Sequence, residues 1–318
     1  MQNQNNIIDK LIEEYPFLIN QSLKIERQFV SESSRVYNTY LVKSNYSGFK
    51  EFVAKGSVLE KYSLKGEWQI IKLLKTKNFP CAQLLVPDHE PVNLLLLKYI
   101  SGKKASERLL EKKNASETFF SIGELTGKLH TLEVSWFGNL EKNKNINWVL
   151  YSKENLRNRL AGSRKIIQYS LYKQTKDLLE DLVPIIESEK SEPPVLIHRD
   201  IYSDNFIIEE QTNKLYLIDY GMAIGGRPFY DLGKFYIFDL YHFPAYQKNF
   251  LSGYSRYINL PIDFNKKLKL YILIELLGCV NFFSSSKQKK ALNSVIKILK
   301  ELTSNKGRIT KLINNTNF

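Results

Sequence analysis

The stretch Val195-Leu-Ile-His198-Arg199-Asp200-Ile-Tyr-Ser-Asp204-Asn205-Phe-Ile-Ile208, followed by Leu215-Tyr-Leu-Ile-Asp219-Tyr220-Gly221, decides how the whole chain is read. Each polar residue stands at the end of a short apolar run or between two of them. A carboxylate so placed is held at a strand terminus, as a rigid catalytic loop requires. Asp200 and Asn205 are five residues apart, and Asp219 is fourteen further on. A carboxylate with a carboxamide oxygen is hard-ligand chemistry, suited to Mg²⁺. Asp and Asn also cap ordinary turns, and taken singly each would be read that way. The ordered set is harder to reduce to turn caps.

Upstream residues extend the pattern. Lys55 ends the apolar strand Phe52-Val-Ala, and Glu67 follows twelve residues later inside a helical stretch. A lone Lys–Glu pair is usually a weak surface bridge. At this place in the series, the pair would hold an ammonium toward phosphate.

The order His-Arg-Asp-x-x-x-x-Asn, then apolar-Asp-aromatic-Gly, is the signature of a kinase catalytic loop and the metal-binding segment after it. The chain resembles the aminoglycoside phosphotransferase and choline kinase superfamily of protein-kinase-like enzymes, which includes spore-coat members. The resemblance spans roughly residues 20–280. Leu94–Leu97-Lys98-Tyr99-Ile-Ser-Gly102 looks like the family's interlobe hinge, whose backbone meets adenine. Ser121-Ile-Gly-Glu-Leu-Thr-Gly-Lys-Leu-His130 looks like its helix ending in Leu-His. Gly226-Arg-Pro-Phe-Tyr-Asp231-Leu-Gly looks like its Gly-x-Pro-x-x-Asp-Leu segment.

The resemblance implies an α+β, bilobal protein-kinase-like fold, with a small sheet-rich N-lobe over 1–101 and a larger helical C-lobe over 102–318. It implies ATP and Mg²⁺ as cofactors. It implies that Asp200 is the catalytic base, that Asn205 and Asp219 bind Mg²⁺, and that Lys55, paired with Glu67, binds phosphate. It places Lys98 and Tyr99 at the nucleotide and makes His198 and Asp231 supports of the catalytic loop. Three departures stand out. Ser31-Glu-Ser-Ser-Arg-Val-Tyr37, where a Gly-rich phosphate loop belongs, has no glycine. His198-Arg199-Asp200 replaces the His-Gly-Asp of the antibiotic enzymes, and Tyr220 replaces Phe.

Periodicity agrees with a sheet-rich start and a helical remainder. Residues 4–19 have helical spacing. Ser22–Val30, Val36–Val42 and Phe49–Ala54 read as strands, Glu60–Lys77 as a helix, and Val92–Ile100 as a buried strand. Beyond Gly102, helices are predicted over Phe119–Leu132, Ser152–Tyr169 and Leu171–Glu189. Phe206–Ile208 and Leu215–Ile218 read as a hairpin, and everything after Phe229 as helical. One cleft is expected between the lobes.

Composition bounds the rest. The 318 residues carry 46 basic and 33 acidic side chains, a net charge of +13. Of this, +9 lies from Phe264 to the end. Such a tail can meet nucleic acid, but no basic run is interleaved with aromatics as single-strand binders need. Two distant cysteines exclude a disulfide framework and indicate a reducing, cytoplasmic setting. The apolar stretch Tyr271–Val280 is too short to span a bilayer. There is no P-loop, dinucleotide fingerprint or Gly-x-Ser-x-Gly elbow. His89, His130 and His242 have no partner at ligand spacing and read as packed or capping residues. Tyr236, Tyr241 and His242 are candidates for an acceptor pocket.

Only eleven residues separate Asp219 from Asp231, too few for the peptide platform of a protein kinase, and no Ala-Pro-Glu occurs. The expected function is therefore ATP- and Mg²⁺-dependent phosphoryl transfer to a hydroxyl of a small molecule. That acceptor is an antibiotic such as an aminoglycoside, a choline-like alcohol, an amino acid or a sugar. The competing readings are a kinase-like scaffold or spore-coat protein with little turnover, and nucleic-acid binding through the basic tail.

Overall fold

The structure is a computed structural model that describes residues 2–29, 37–57, 64–111, 114–140 and 146–316. The stretch 31–36, which holds most of the glycine-free loop, lies outside these residues. The chain forms two compact units. The first comprises residues 1–103 with 207–222, the second 104–206 with 223–318. A division at Gly102 by sequence position alone leaves the hairpin on the other side.

In the first unit, α1 (Gln2–Glu14) is followed by β1 (Leu23–Phe29), β2 (Tyr37–Ser44) and β3 (Glu51–Ser57), then α2 (Lys65–Thr76) and β4 (Leu94–Lys98). The four strands form one antiparallel sheet in sequence order. Side chains alternate between faces along a strand. Phe52 and Ala54 of β3 therefore enter a core with Tyr40, Val42, Leu94 and Leu96, covered by Leu11, Tyr15 and Leu18. The same alternation puts Lys55 on the opposite face. The carboxylate of Glu14 accepts from the backbone N–H groups of Val92, Asn93 and Leu94, which ties α1 to the start of β4. The predicted helix Glu60–Lys77 is described only from residue 64, and its helical turns begin at Lys65. Glu67 thus sits in the first helical turn, where a carboxylate is favoured by the helix dipole. A small sheet joins β5 (Gly102–Lys104) to the hairpin of β7 (Phe206–Glu209) and β8 (Leu215–Leu217).

The second unit is helical: α3 (Ala105–Leu110), α4 (Ala115–His130), α5 (Trp148–Ser163), α6 (Tyr169–Leu182), α7 (Pro184–Ser188), α8 (Phe229–Phe235), α9 (Gln247–Tyr254), α10 (Phe264–Ser285), α11 (Lys289–Thr303) and α12 (Arg308–Asn314). The short strands β6 (Val195–Ile197) and β9 (Ile224–Gly226) pair antiparallel. Two predicted helices differ. Leu171–Glu189 is broken at Pro184, which has no N–H to continue the ladder and starts α7 instead. α5 begins before Ser152, because the Asn147 side chain caps it by accepting from Leu150 N at 3.1 Å.

Helices α4 and α9 cross with their backbones in contact. A Cβ on Gly123 would lie 2.0 Å from Phe250 O, and one on Gly253 would lie 2.1 Å from Phe120 O. Only glycine allows this approach. The 22-residue α10 is long and apolar enough to cross a membrane by length and composition. In this fold it is a core helix, with Leu268 and Leu270–Leu277 buried and packed by α5, α8 and α11.

Candidate active site

Within the first unit, Lys55 Nζ lies 2.6 Å from Glu67 Oε2 and 2.7 Å from Asp219 Oδ1. Lys55 and Glu67 are buried, while the Asp219 side chain is 47% exposed. Two carboxylates thus share one ammonium, and one of them still faces solvent. Burial works against the Lys55 charge, but Asp219 and Glu67 more than offset it and hold the ammonium above its ordinary value. Burial pushes the Glu67 carboxyl up, and the Lys55 charge opposes this only in part. Glu67 Oε1 also accepts from Tyr220 N at 3.1 Å, which fastens the segment after β8 to α2. Asp219 has φ of +66°, a left-handed conformation that Asp tolerates better than most residues.

Lys98 closes β4 opposite Phe52, and its backbone N–H donates to Gln83 O at 2.7 Å. Lys55 pairs with Leu95, so Lys98 stands three positions further along the strand. Tyr99 is half-buried at the strand's exit. The structure therefore gathers Lys55, Glu67 and Asp219 into one cluster, with Lys98 and Tyr99 apart from it.

In the second unit, Asp231 is fully buried and organises the loop after β6. Its Oδ2 accepts from His198 N and its Oδ1 from Arg199 N, both at 2.7 Å. His130 Nε2 lies 3.2 Å from Oδ2, and His130 Nδ1 lies 3.0 Å from Tyr254 OH across the α4–α9 crossing. Burial raises the Asp231 carboxyl. The His130 hydrogen bond and charge, with His198, more than offset this and leave it below the usual carboxylate range. Arg199 has φ of +67°. For a side chain of this kind the left-handed region costs about 1–2 kcal/mol. The two backbone bonds to Asp231 hold the turn there, and the Arg199 guanidinium lies 4.4 Å from the Tyr230 ring centre.

The result of that turn is the placement of Asp200. Its Oδ1 is ion-paired with Lys234 Nζ, and its Oδ2 accepts from Asn205 Nδ2 at 3.1 Å. Asn205 Nδ2 also donates to Asp200 O at 2.7 Å. Both Asn205 amide protons are thus directed at Asp200, which leaves the carboxamide oxygen as the group a cation could use. Burial works against the Lys234 ammonium, while the charges of Asp200 and Glu275 raise it on balance.

Three residues of this unit have contacts that the sequence did not reveal. Lys234 follows Asp231 by one helical turn, and that spacing puts both on one face. Asp239 is buried in a π-helical turn, Tyr236–Leu240, and its Oδ2 accepts from Ser203 N at 3.1 Å. Such turns recur at functional sites. Burial pushes the Asp239 carboxyl up to about 7. The signal was a carboxylate inside the apolar run Phe235–Tyr241, a setting where Asp is rare unless paired. His130 was read as a packed residue, and its bridge between Asp231 and Tyr254 needed the helix crossing to be seen.

Of the acceptor candidates, Tyr236 and Tyr241 are buried. Tyr236 OH accepts from Gln247, and Tyr241 OH donates to Glu301. A pocket of about 390 Å³ between α5 and α10 is lined by Tyr151, Glu154, Asn155, Asn158, Arg159 and Asn281, a set that includes none of Tyr236, Tyr241 and His242.

Among the described residues, no group of three or more His, Cys, Asp or Glu could hold a metal ion. The Asp219 carboxylate in the first unit is half-exposed, and the Asn205 carboxamide oxygen in the second is not engaged by the two bonds its amide makes to Asp200.

The model of the phosphotransferase enzyme family matches residues 33–262. No curated protein matches the chain in sequence. Among solved structures, a microcompartment-associated aminopropanol kinase superposes with a TM-score of 0.69 at 17% identity, covering 96% of this chain and 99% of that one. Choline kinase LicA from Streptococcus pneumoniae gives 0.63 at 17% identity, over 96% of this chain and 100% of that one. A thermostable mutant of aminoglycoside phosphotransferase APH(4)-Ia, in ternary complex with ADP and hygromycin B, gives 0.64 at 12%, over 93% and 97%. At such identities the likeness speaks to the fold, which is kinase-like, with a sheet-rich N-terminal region and a helical C-terminal region.

Proposed function

Because the chain belongs to the phosphotransferase enzyme family, we propose that it transfers the γ-phosphoryl group of ATP to a hydroxyl of a small molecule. The observation that carries this reading is the Asp200 carboxylate, fixed between Lys234 and Asn205 on a loop whose backbone is clamped by buried Asp231. A group so held is oriented before the acceptor arrives, and phosphoryl transfer depends mostly on positioning and electrostatics.

In this reading the acceptor hydroxyl oxygen forms a bond to the γ-phosphorus. The bond from that phosphorus to the β–γ bridging oxygen breaks, and ADP leaves with the electron pair. Asp200 orients the hydroxyl and takes its proton on a carboxylate oxygen. Lys55 supplies a positive charge to the phosphates, held in place by Glu67. Asp219 and Asn205 supply oxygens to Mg²⁺, which when bound neutralises phosphate charge. Lys98 and Tyr99 belong to the nucleotide side through their backbone. His198 and Asp231 support the loop. Two free cysteines accord with a cytoplasmic setting, which is part of the proposal.

The test is a coupled ADP-release assay across hydroxyl acceptors, with nucleotide binding followed by thermal shift. Asp200→Asn keeps shape but removes the base, so turnover should fall by about 10²–10⁴-fold while ATP binding persists. Equal turnover in both proteins would refute the role of Asp200. No acceptor above the Asp200→Asn background would favour a scaffold.

A further inference from the structure

We infer that Asp239 is a positioning residue for Asn205: it clamps the far end of the catalytic loop, as Asp231 clamps the near end, and so sets the affinity of that loop for Mg²⁺. This rests on the phosphotransferase reading above, and every contact it uses lies inside the second unit.

The loop from His198 to Asn205 runs alongside the segment 231–239. Asp231 accepts from His198 N and Arg199 N. One turn further on, Lys234 Nζ reaches Arg199 O at 3.4 Å and the Asp200 carboxylate. The Phe238 ring then stands 6.2 Å, centre to centre, from the ring of Tyr202. Asp239 Oδ2 closes the series by accepting from Ser203 N at 3.1 Å. Each step along the helical segment takes up the next part of the loop. The two carboxylates stand at its ends, and both are buried.

Regular helical spacing would not put Asp239 there. At 3.6 residues per turn, a residue eight positions after Asp231 lies about 80° around the helix from it. The π-helical turn Tyr236–Leu240 corrects this. Tyr241 N donates to Tyr236 O at 2.9 Å, a bond that takes one more residue into the turn than an α-helix does. Each residue of the turn then rotates the chain by less, and Asp239 comes back toward the face that carries Asp231.

The route from Asp239 to Asn205 is short. Ser203 begins a 3₁₀ turn that ends at Asn205, and Asn205 N donates to Tyr202 O at 2.9 Å. Holding Ser203 N therefore holds the turn that carries the Asn205 side chain. Its Nδ2 is spent on Asp200, which leaves the carboxamide oxygen for a cation. Ser203 and Asn205 are both buried, so this turn lacks the freedom of a surface loop. Groups that orient a metal ligand from behind change metal affinity by about 10–100-fold when removed. One difference between the clamps gives a direct test. Asp231 takes a backbone donor on each oxygen, whereas the backbone donor to Asp239 meets Oδ2. A carboxamide oxygen can replace that single acceptor.

The experiment uses the full chain with Mg²⁺ and the non-hydrolysable nucleotide AMP-PNP. Thermal shift against Mg²⁺ concentration gives a binding midpoint, and amide hydrogen exchange followed by NMR reads the loop. Asp239→Ala should raise the Mg²⁺ midpoint about tenfold or more. It should speed exchange at Ser203 N about tenfold, the loss of one hydrogen bond, and leave His198 N and Arg199 N as in the parent. Asp239→Asn should restore most of both. In coupled ADP release, added Mg²⁺ should recover the turnover of Asp239→Ala, while Asp231→Asn should stay slow at every Mg²⁺ concentration. An unmoved Mg²⁺ midpoint in folded Asp239→Ala would overturn the inference and leave Asp239 a structural residue. So would equal acceleration at His198 N, or an Asp239→Asn protein no better than Asp239→Ala. If Asp239→Ala does not fold, the parent decides: exchange in rising urea should give Ser203 N an opening free energy separate from that of His198 N and Arg199 N, and one common opening would overturn the inference. These outcomes leave the phosphotransferase reading standing, whereas a parent that binds no AMP-PNP with Mg²⁺ would remove that reading and the inference with it.

Discussion

Replacing Asp231 by Asn tests the loop clamp most directly. The carboxylate accepts two backbone N–H bonds at 2.7 Å and one from His130 at 3.2 Å, at a site closed to solvent. Hydrogen bonds to a charged group contribute about 1.5–3 kcal/mol each. The amide can satisfy one side but turns an NH₂ toward the other, and a buried donor left without an acceptor costs about 1–3 kcal/mol. With charge assistance lost on the remaining side, the destabilisation should be about 3–5 kcal/mol, a large share of an ordinary domain's stability. The Arg199 turn would relax from its left-handed conformation and carry Asp200 with it. A displacement of that order can lower turnover about 10²-fold. Urea titration followed by tryptophan fluorescence reads the first effect, since Trp148 is buried in this unit near Tyr230. ADP release reads the second. The Asp231 carboxyl lies below the usual carboxylate range, so the unfolded chain binds its proton first as pH falls. Its contribution is thus present above about pH 4 and lost below it. The acid side of the stability profile should be steeper in the parent than in Asp231→Asn. A variant destabilised by less than about 1 kcal/mol, with unchanged turnover, would refute the clamp.

Two further outcomes follow from buried charge. Lys55→Met should abolish turnover and destabilise the fold by about 3–5 kcal/mol, because Glu67 loses its cation; Lys55→Met with Glu67→Leu should recover most of the stability but none of the activity, as urea titration and ADP release would show. Burial pushes Glu189 up to about 7, despite a hydrogen bond from Tyr271 and Lys267 at 3.9 Å. The folded chain then holds a proton that the unfolded chain releases between about pH 4.5 and 7, so stability should fall across that window, by up to about 3 kcal/mol, and Glu189→Gln should flatten it in urea titrations at pH 5 to 8.

What could be read in the sequence was local or strongly ordered. Phe52 and Ala54 alternate with Lys55, so the strand and the face of its lysine follow from period two. The spacing from Asp200 to Asn205 fits a single turn, and a hydrogen bond closes it. Contacts made by helix packing were hidden. His130 meets Tyr254 only because Gly123 and Gly253 let two backbones touch, and Lys234 meets Asp200 from a helix more than thirty residues away. The hydroxyl partners of Tyr236 and Tyr241, Gln247 and Glu301, were likewise out of reach, because they lie on helices α9 and α11 whose packing no local pattern encodes. The break at Pro184 was legible and simply overridden by the surrounding apolar period.

The two walls of the pocket differ in their freedom to change. On α10, the residues leading to the pocket are packed on nearly every side, so a substitution there disturbs the core before it alters recognition. On α5, Glu154 and Asn158 face outward and touch little else. Exchanges at such positions shift stability by only about 0.5 kcal/mol. Variation along this surface should therefore gather on one face of α5, while α10 stays fixed by the core packed behind it.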